Sequence, residues 1–375
     1  MRSYGRACVQ DFLGDFIVYR NLIPIDSRLP GLPELRAALG LPASLTPRKS
    51  SPEYAQVVAQ IMNRAQVIRG EKAAIERLIY IGDTRVNDGI AFANLLTADR
   101  WSGASFIGSE TTEPEETHVE SHDGATILLS NRWSALHVFD AFCQKRGIPI
   151  NERTAVVIDL DKTALGARGR NDYVIDAARV QAMRRTIREL LGDRLDEAAF
   201  EADYNRLNQP CYHPFTTDNQ DYLAYICLIM QSGAIAHEVL FDALDRGKLK
   251  QFVQLLTWVD EREGRLSPSL RQVHKGVKAA LSEGNPTPFV DFRRNEYRIT
   301  VDRMGSLDDS TPVEKMLQEE IVITHEVMQI ALRFRDRGAL LFGLSDKPDE
   351  ASLPPDGLSN YLPIHEKDTH VVGGD

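Results

Sequence analysis

The chain has 375 residues, of which 43% are hydrophobic and 26% charged, with a formal net charge of −10. This length supports a substantial core and two domains, or one domain with a large insertion. The acidic balance argues against a phosphate-backbone binder, which needs a basic stripe, but leaves small anionic substrates open because a local cation can reverse the field in one cleft. Four cysteines, Cys8, Cys143, Cys211 and Cys227, are scattered without a CxxC pair, as expected of reduced thiols in a cytoplasmic protein. No apolar segment approaches the length of a membrane span, so no membrane partner is expected.

In chain order, DFIVYRNLIPI predicts a strand and its exit, and LPELRAALGL a short helix stopped by glycine. SPEYAQVVAQIMNRAQVI has helical apolar spacing, with Ser51 as N-cap and Pro52 at the first helical position. RLIYIGDTRVNDG reads as a strand, a polar loop and the start of a helix. Residues 109–124 (SETTEPEETHVESHDG) are acidic and aperiodic, which predicts an exposed loop, and NRWSALHVFDAFCQKRG an amphipathic helix. From about 170 to 335 long helical patterns follow one another, including AARVQAMRRTIRELLGDRL and SLRQVHKGVKAALSEG. EEIVITHEVMQIALRFRDRG predicts a further helix, ALLFGLS an apolar strand, and the tail HEKDTHVVGGD a short edge strand.

Three apolar runs end in polar chemistry. VVIDLDKTALG places Asp159 and Asp161 two residues apart at the end of a β-branched run, with Thr163 behind them. LIYIGD ends at Asp83, with Asn87 and Asp88 following, and LLFGLS ends at Ser345, followed by Asp346 and Lys347. In open α/β sheets ligands bind at the C-terminal edge of the strands. If the three strands are parallel neighbours, their acids converge and require a cation, and hard oxygen ligands suit Mg²⁺.

These segments carry a resemblance. DLDKT at 159–163 resembles the DxDxT motif of the haloacid dehalogenase-like (HAD) phosphohydrolases, GLSDKP at 343–348 their second motif, and GDTRVND at 82–88 their acidic fourth motif. PGLPELRAALG at 30–40 is also similar to HAD sequences. The order is altered, because the fourth-type motif precedes the first, and a circular permutation is the simplest account; two tandem half-domains are the rival one. The resemblance implies a three-layer Rossmann-like α/β core with a parallel sheet and an inserted, mostly helical cap. The implied division is 1–169 and 336–375 for the core and 170–335 for the cap. Segments 1–100 and 320–375 would share one sheet with the 155–160 strand, which would lie between the Asp83 and Ser345 strands, and 101–155 would connect them.

The resemblance also implies roles. Asp159 is the nucleophile, Asp161 the acid and base, and Ser345 a hydrogen-bond donor to the phosphoryl group. Asp159, the Asp161 carbonyl, Asp83 and Asp88 bind Mg²⁺, and Thr163, Asp346 and Lys347 contact substrate. The phosphate-screening lysine is Lys49, before the Pro52 helix, in preference to Lys72, at the start of a helical stretch, or Lys347. A Mg²⁺-dependent phosphatase acting on a small phosphate ester is the leading expectation. A phosphotransferase on the same fold and an inactive binding protein are the alternatives. His365 and His370 are spaced wrongly for one helical face and have no evident third ligand, and QPCYHPF reads as a turn over the helical segment.

Overall fold

The computed structural model describes residues 1–43, 45–122, 125–355 and 361–374. The chain forms two units, Met1–Ala177 with Thr300–Asp375, and Ala178–Ile299. The helical stretch expected over 170–335 is therefore divided, and its two flanks belong to the first unit.

Ten strands occur among the described residues: β1 (Arg2–Ala7), β2 (Ile17–Val18), β3 (Arg77–Gly82), β4 (Ser102–Gly108), β5 (Thr117–His122), β6 (Ala125–Ser130), β7 (Thr154–Asp159), β8 (Ile323–Thr324), β9 (Leu340–Leu344) and β10 (Thr369–Gly373). Seven form a sheet in the order β2-β9-β7-β3-β4-β6-β5, parallel except for β5. This is a Rossmann-like α/β architecture. β7 lies between β3 and β9, and all three belong to one sheet rather than to tandem half-domains. Ile81 pairs with Ile158, and Asp159 with Leu344, so the three strands end level with one another.

Their β-branched and aromatic residues suit strands buried on both faces. Leu78, Tyr80, Ala155, Val157, Leu340 and Phe342 share one core with the helices Pro52–Ile68 and Asn87–Asp99. On the other face Phe106 meets Phe139 of the helix Leu136–Lys145 at a ring-centroid distance of 5.7 Å.

Several expectations are corrected. Residues 101–155 do not merely connect: they add β4, β5 and β6 to the sheet. Thr117–His122 is a strand, not loop, because antiparallel pairing with β6 satisfies a backbone whose side chains are polar; residues 123 and 124 lie outside the described ones. Gly103 escapes a simple apolar pattern, yet a Cβ there would lie 2.0 Å from the Leu78 carbonyl oxygen. Segments 1–100 and 320–375 do not join a single sheet, since β1, β10 and β8 form a second, three-stranded one. The tail strand β10 is the middle of that sheet, not an edge. EEIVITHEV opens with β8 before the helix His325–Asp336, because the run Ile-Val-Ile-Thr favours extended backbone. The stretch after Lys72 is not helical, and the chain is irregular up to β3.

Residues 178–299 fold as helices, with Leu223, Tyr225, Cys227, Leu256 and Phe292 in their core. Within it Arg293 donates to Asp221 (2.8 Å from Nε) and to Glu296 (2.6 Å), a buried network in which each charge is met. No helix among the described residues is long and apolar enough to cross a membrane.

Ser51 caps the helix Pro52–Ile68 as its sequence predicts, accepting from the Tyr54 N–H at 3.2 Å. Ser51→Ala is expected to lower the stability of the first unit by about 1 kcal/mol, read from urea denaturation.

Candidate functional site

The ends of β3 and β7 and the start of the helix Asn87–Asp99 bring carboxylates together at one sheet edge, where Lys49, just before the helix Pro52–Ile68, meets them. One oxygen each from Asp83, Asp88 and Asp159 lies within 4.8 Å of the others. Asp88 is held from several directions. Its Oδ2 accepts from the backbone N–H groups of Asp83 (3.0 Å) and Thr84 (2.9 Å) and from the Thr84 hydroxyl (3.1 Å). Its Oδ1 accepts from the Tyr80 hydroxyl at 3.0 Å and from Lys49 Nζ at 2.6 Å. Gly82 makes room for this, since a Cβ there would lie 2.6 Å from Asp88 Cγ.

Lys49 also donates to Asp159 Oδ1. Asp159 Oδ2 is buried and has no hydrogen-bond partner among the described residues. The sequence did not single out Arg168, whose Nε donates to Asp83 Oδ2 at 2.5 Å. Its signal is the pair of glycines bracketing it in GARGR. Gly166 and Gly169 both have positive φ, and a Cβ on Gly169 would lie 1.9 Å from the Glu110 carbonyl oxygen.

Burial opposes the charge on Lys49, but Asp159 and Asp88 outweigh it and hold the ammonium well above its ordinary range. Burial likewise pushes the Asp159 carboxyl up, against the pull of Lys49 and with the repulsion of Asp88 and Asp83. Asp83 is pushed up to about 7 by burial and by Asp88, against Arg168. Asp88 is the carboxylate held ionised: burial opposes this, but Lys49 and the hydrogen bonds prevail. Three acids thus face two cations, Lys49 and Arg168, with Lys49, Asp88 and Asp159 buried.

The turn after β7 is compact. The Ala164 N–H donates to the Asp159 carbonyl at 3.2 Å, and Lys162 adopts a left-handed backbone with φ 65°. The second sheet secures this turn, because Thr324 of β8 donates its N–H to the Ala164 carbonyl at 2.9 Å and its hydroxyl to the Thr163 carbonyl at 2.5 Å. Thr163 is fully buried and its hydroxyl has no partner among the described residues. Ser345 is buried, its Oγ accepts from the Lys347 N–H at 3.0 Å, and its own hydroxyl hydrogen remains to be donated. Asp161, Ser345 and Lys347 line a cavity of about 20 Å³. Asp346 stands 3.9 Å from Arg20. Lys49 meets the three-acid cluster, whereas Lys347 faces the cavity.

A divalent cation suits this donor set. The carboxylates are hard oxygen ligands, and the three acids outnumber the two cations that meet them among the described residues. The hydrogen bonds to Asp88 occupy both of its oxygens, which leaves Asp83 and Asp159 the better placed to hold a cation. The four cysteines are free, and Cys211 is exposed in the helical unit, where QPCYHPF forms two short helical turns.

Comparison of the chain with protein-family models, curated proteins and solved structures finds no match.

A carboxyl raised from 3.8 to about 7 binds more protons folded than unfolded, so its contribution to stability falls as pH rises through that window. Metal-free protein is therefore expected to lose stability between about pH 4 and 7, and Asp83→Asn to flatten the slope, measured by urea denaturation in the presence of a chelator.

Proposed function

We propose that the protein is a Mg²⁺-dependent phosphatase that hydrolyses a small phosphate ester through an aspartyl-phosphate on Asp159. The observation that carries this reading is the asymmetry of Asp159: Lys49 holds Oδ1 while Oδ2 is buried and without a partner. Lys49 fixes the carboxylate and leaves one oxygen to act as nucleophile. Motif order, with Asp83 ahead of Asp159, is read as a circular permutation of a HAD-like core, and the helical unit as its cap.

Asp159 Oδ2 attacks phosphorus, and the bond from phosphorus to the alcohol oxygen breaks. Asp161, two residues on, protonates the departing oxygen and then takes a proton from the water that hydrolyses the acyl phosphate. Ser345 donates its hydroxyl hydrogen to a phosphoryl oxygen, and Lys49 screens the charge on the transferring group. Asp83 and Asp159 would hold Mg²⁺ with the Asp161 carbonyl, and Asp88 orients Lys49 and the loop carrying Asp83. The metal supplies electrostatic stabilisation of the phosphoryl oxygens.

Asp159→Asn is expected to keep the fold, by circular dichroism, and to reduce hydrolysis of a generic aryl phosphate by at least about a thousandfold. Full activity in that variant overturns the assignment. Asp83→Ala is expected to raise the Mg²⁺ concentration for half-maximal activity at least about tenfold, in a metal titration of initial rates.

A further inference from the structure

Arg168 is built into the candidate site by more contacts than its one ion pair requires. Its N–H donates to the Lys162 carbonyl at 2.8 Å, and its own carbonyl accepts from the Glu110 N–H at 2.9 Å and from Trp133 Nε1 at 3.1 Å. Trp133 is fully buried. The next residue, Gly169, donates its N–H to Asp172 Oδ1 at 2.9 Å. The loop is thus anchored to the turn after β7, to the segment after β4 and to the indole of Trp133. What these anchors fix is the root of one arginine side chain.

That side chain is held at its inner end and open at its outer one. Nε donates to Asp83 Oδ2 at 2.5 Å, and no hydrogen bond from Nη1 or Nη2 occurs among the described residues. Two further acids attract it, but each has a donor of its own. Asp172 takes the Gly169 N–H, and Asp176 accepts from Lys162 Nζ at 2.8 Å. The Arg168 side chain is 37% exposed, against 7% for Asp83 and 6% for Lys49, so a ligand can reach it from solvent. A guanidinium is planar and rigid, so fixing Nε against Asp83 also fixes the terminal nitrogens beside that carboxylate. An oxygen of Asp83 in turn lies within 4.8 Å of one of Asp159.

We propose that Arg168 is a further catalytic residue, whose terminal nitrogens donate to oxygens of the phosphoryl group that Asp159 attacks. This rests on the phosphatase reading, in which Lys49 and Ser345 meet the same group. Lys49 works from the buried side, where its ammonium also holds Asp88 and Asp159. Arg168 works from the more exposed side. Two parallel N–H donors match the edge of a phosphate, and the guanidinium stays charged throughout. As the bond from phosphorus to the alcohol oxygen breaks, these donors meet the charge spread over the phosphoryl oxygens. Arg168 gives up no proton in the step.

The test compares the full chain with Arg168→Met and Arg168→Lys, with inorganic phosphate as the probe, Mg²⁺ present, and isothermal titration calorimetry as the readout. Arg168→Met is expected to weaken phosphate binding at least about tenfold. Arg168→Lys keeps the charge without the fork and is expected to weaken it at least about threefold, which keeps the test decisive if Arg168→Met does not fold. The same proteins are titrated with Mg²⁺ alone. Removing a cation beside Asp83 does not itself weaken Mg²⁺ binding, so a loss of phosphate affinity that exceeds any loss of Mg²⁺ affinity marks direct contact. A merely structural role in holding Asp83 lowers both together and overturns the proposal. Unchanged phosphate affinity in Arg168→Met, or no phosphate binding by the unaltered chain, overturns it as well. With an aryl phosphate as substrate, kcat/KM of Arg168→Met is expected to fall at least about a hundredfold. If phosphate binds through Arg168 but no ester is hydrolysed, the anion contact stands and the phosphatase reading falls. If hydrolysis and phosphate affinity are both unchanged in Arg168→Met, Arg168 leaves the mechanism and the phosphatase reading stands.

Discussion

The ammonium of Lys49, held between Asp88 and Asp159, is the interaction on which the rest of the candidate site depends. Of the two carboxyls it meets, Asp88 would lose the cation that keeps it ionised, while Asp159 is pushed up by burial even against the pull of Lys49. With Lys49 between them, Asp88 stays ionised and Asp159 keeps one oxygen oriented and the other unoccupied. Each flanking element serves this contact. Gly82 lets Asp88 lie against the end of β3, two backbone N–H groups fix its outer oxygen, and Tyr80 closes the inner one. Removing the lysine would leave the ionised Asp88 without its counter-ion, which is costlier than replacing the whole cluster with apolar side chains.

The strands that carry the site were legible because their β-branched runs end abruptly in acids or a serine, a break that neither periodicity nor composition alone would produce. Lys49 was legible from the Ser-Pro helix start that follows it. Arg168 was not, because its role comes from a loop folded by Gly166 and Gly169, and nothing in a local pattern says where such a loop points. β4, β5 and β6 escaped for a different reason. β4 carries two glycines and β5 is polar, and with β6 they become strands through pairing with neighbours already in place. The helical unit was legible in texture but not in its limits, since a long amphipathic pattern such as Asp172–Leu191 continues across the division at Ala178.

The small second sheet shows how a site can be braced by chain that supplies none of its principal groups. β8 lies beside β10 and also ties down the turn after β7 through both polar atoms of Thr324. β8 thereby holds the backbone that follows Asp159 and Asp161. Preorganisation of this kind matters because reacting groups must be placed to within a fraction of an ångström before their chemistry contributes.

The position of β9 in the sheet has a consequence for how the protein is made. β9, at residues 340–344, lies between β7 and β2, so two strands synthesised much earlier flank a gap that a late segment fills. The intervening 178–299 unit adds little to the equilibrium cost of closing that gap, because loop entropy grows only logarithmically with length, by roughly 0.6 kcal/mol per doubling. It adds a great deal to the waiting time. During synthesis at roughly 5–20 residues per second, β7 has an unpaired edge for many seconds, and its buried-type surface is open to other chains. A ribosome-bound nascent chain ending before Leu340 therefore leaves one edge of β7 unpaired, and in that interval the chain is most open to pairing with others.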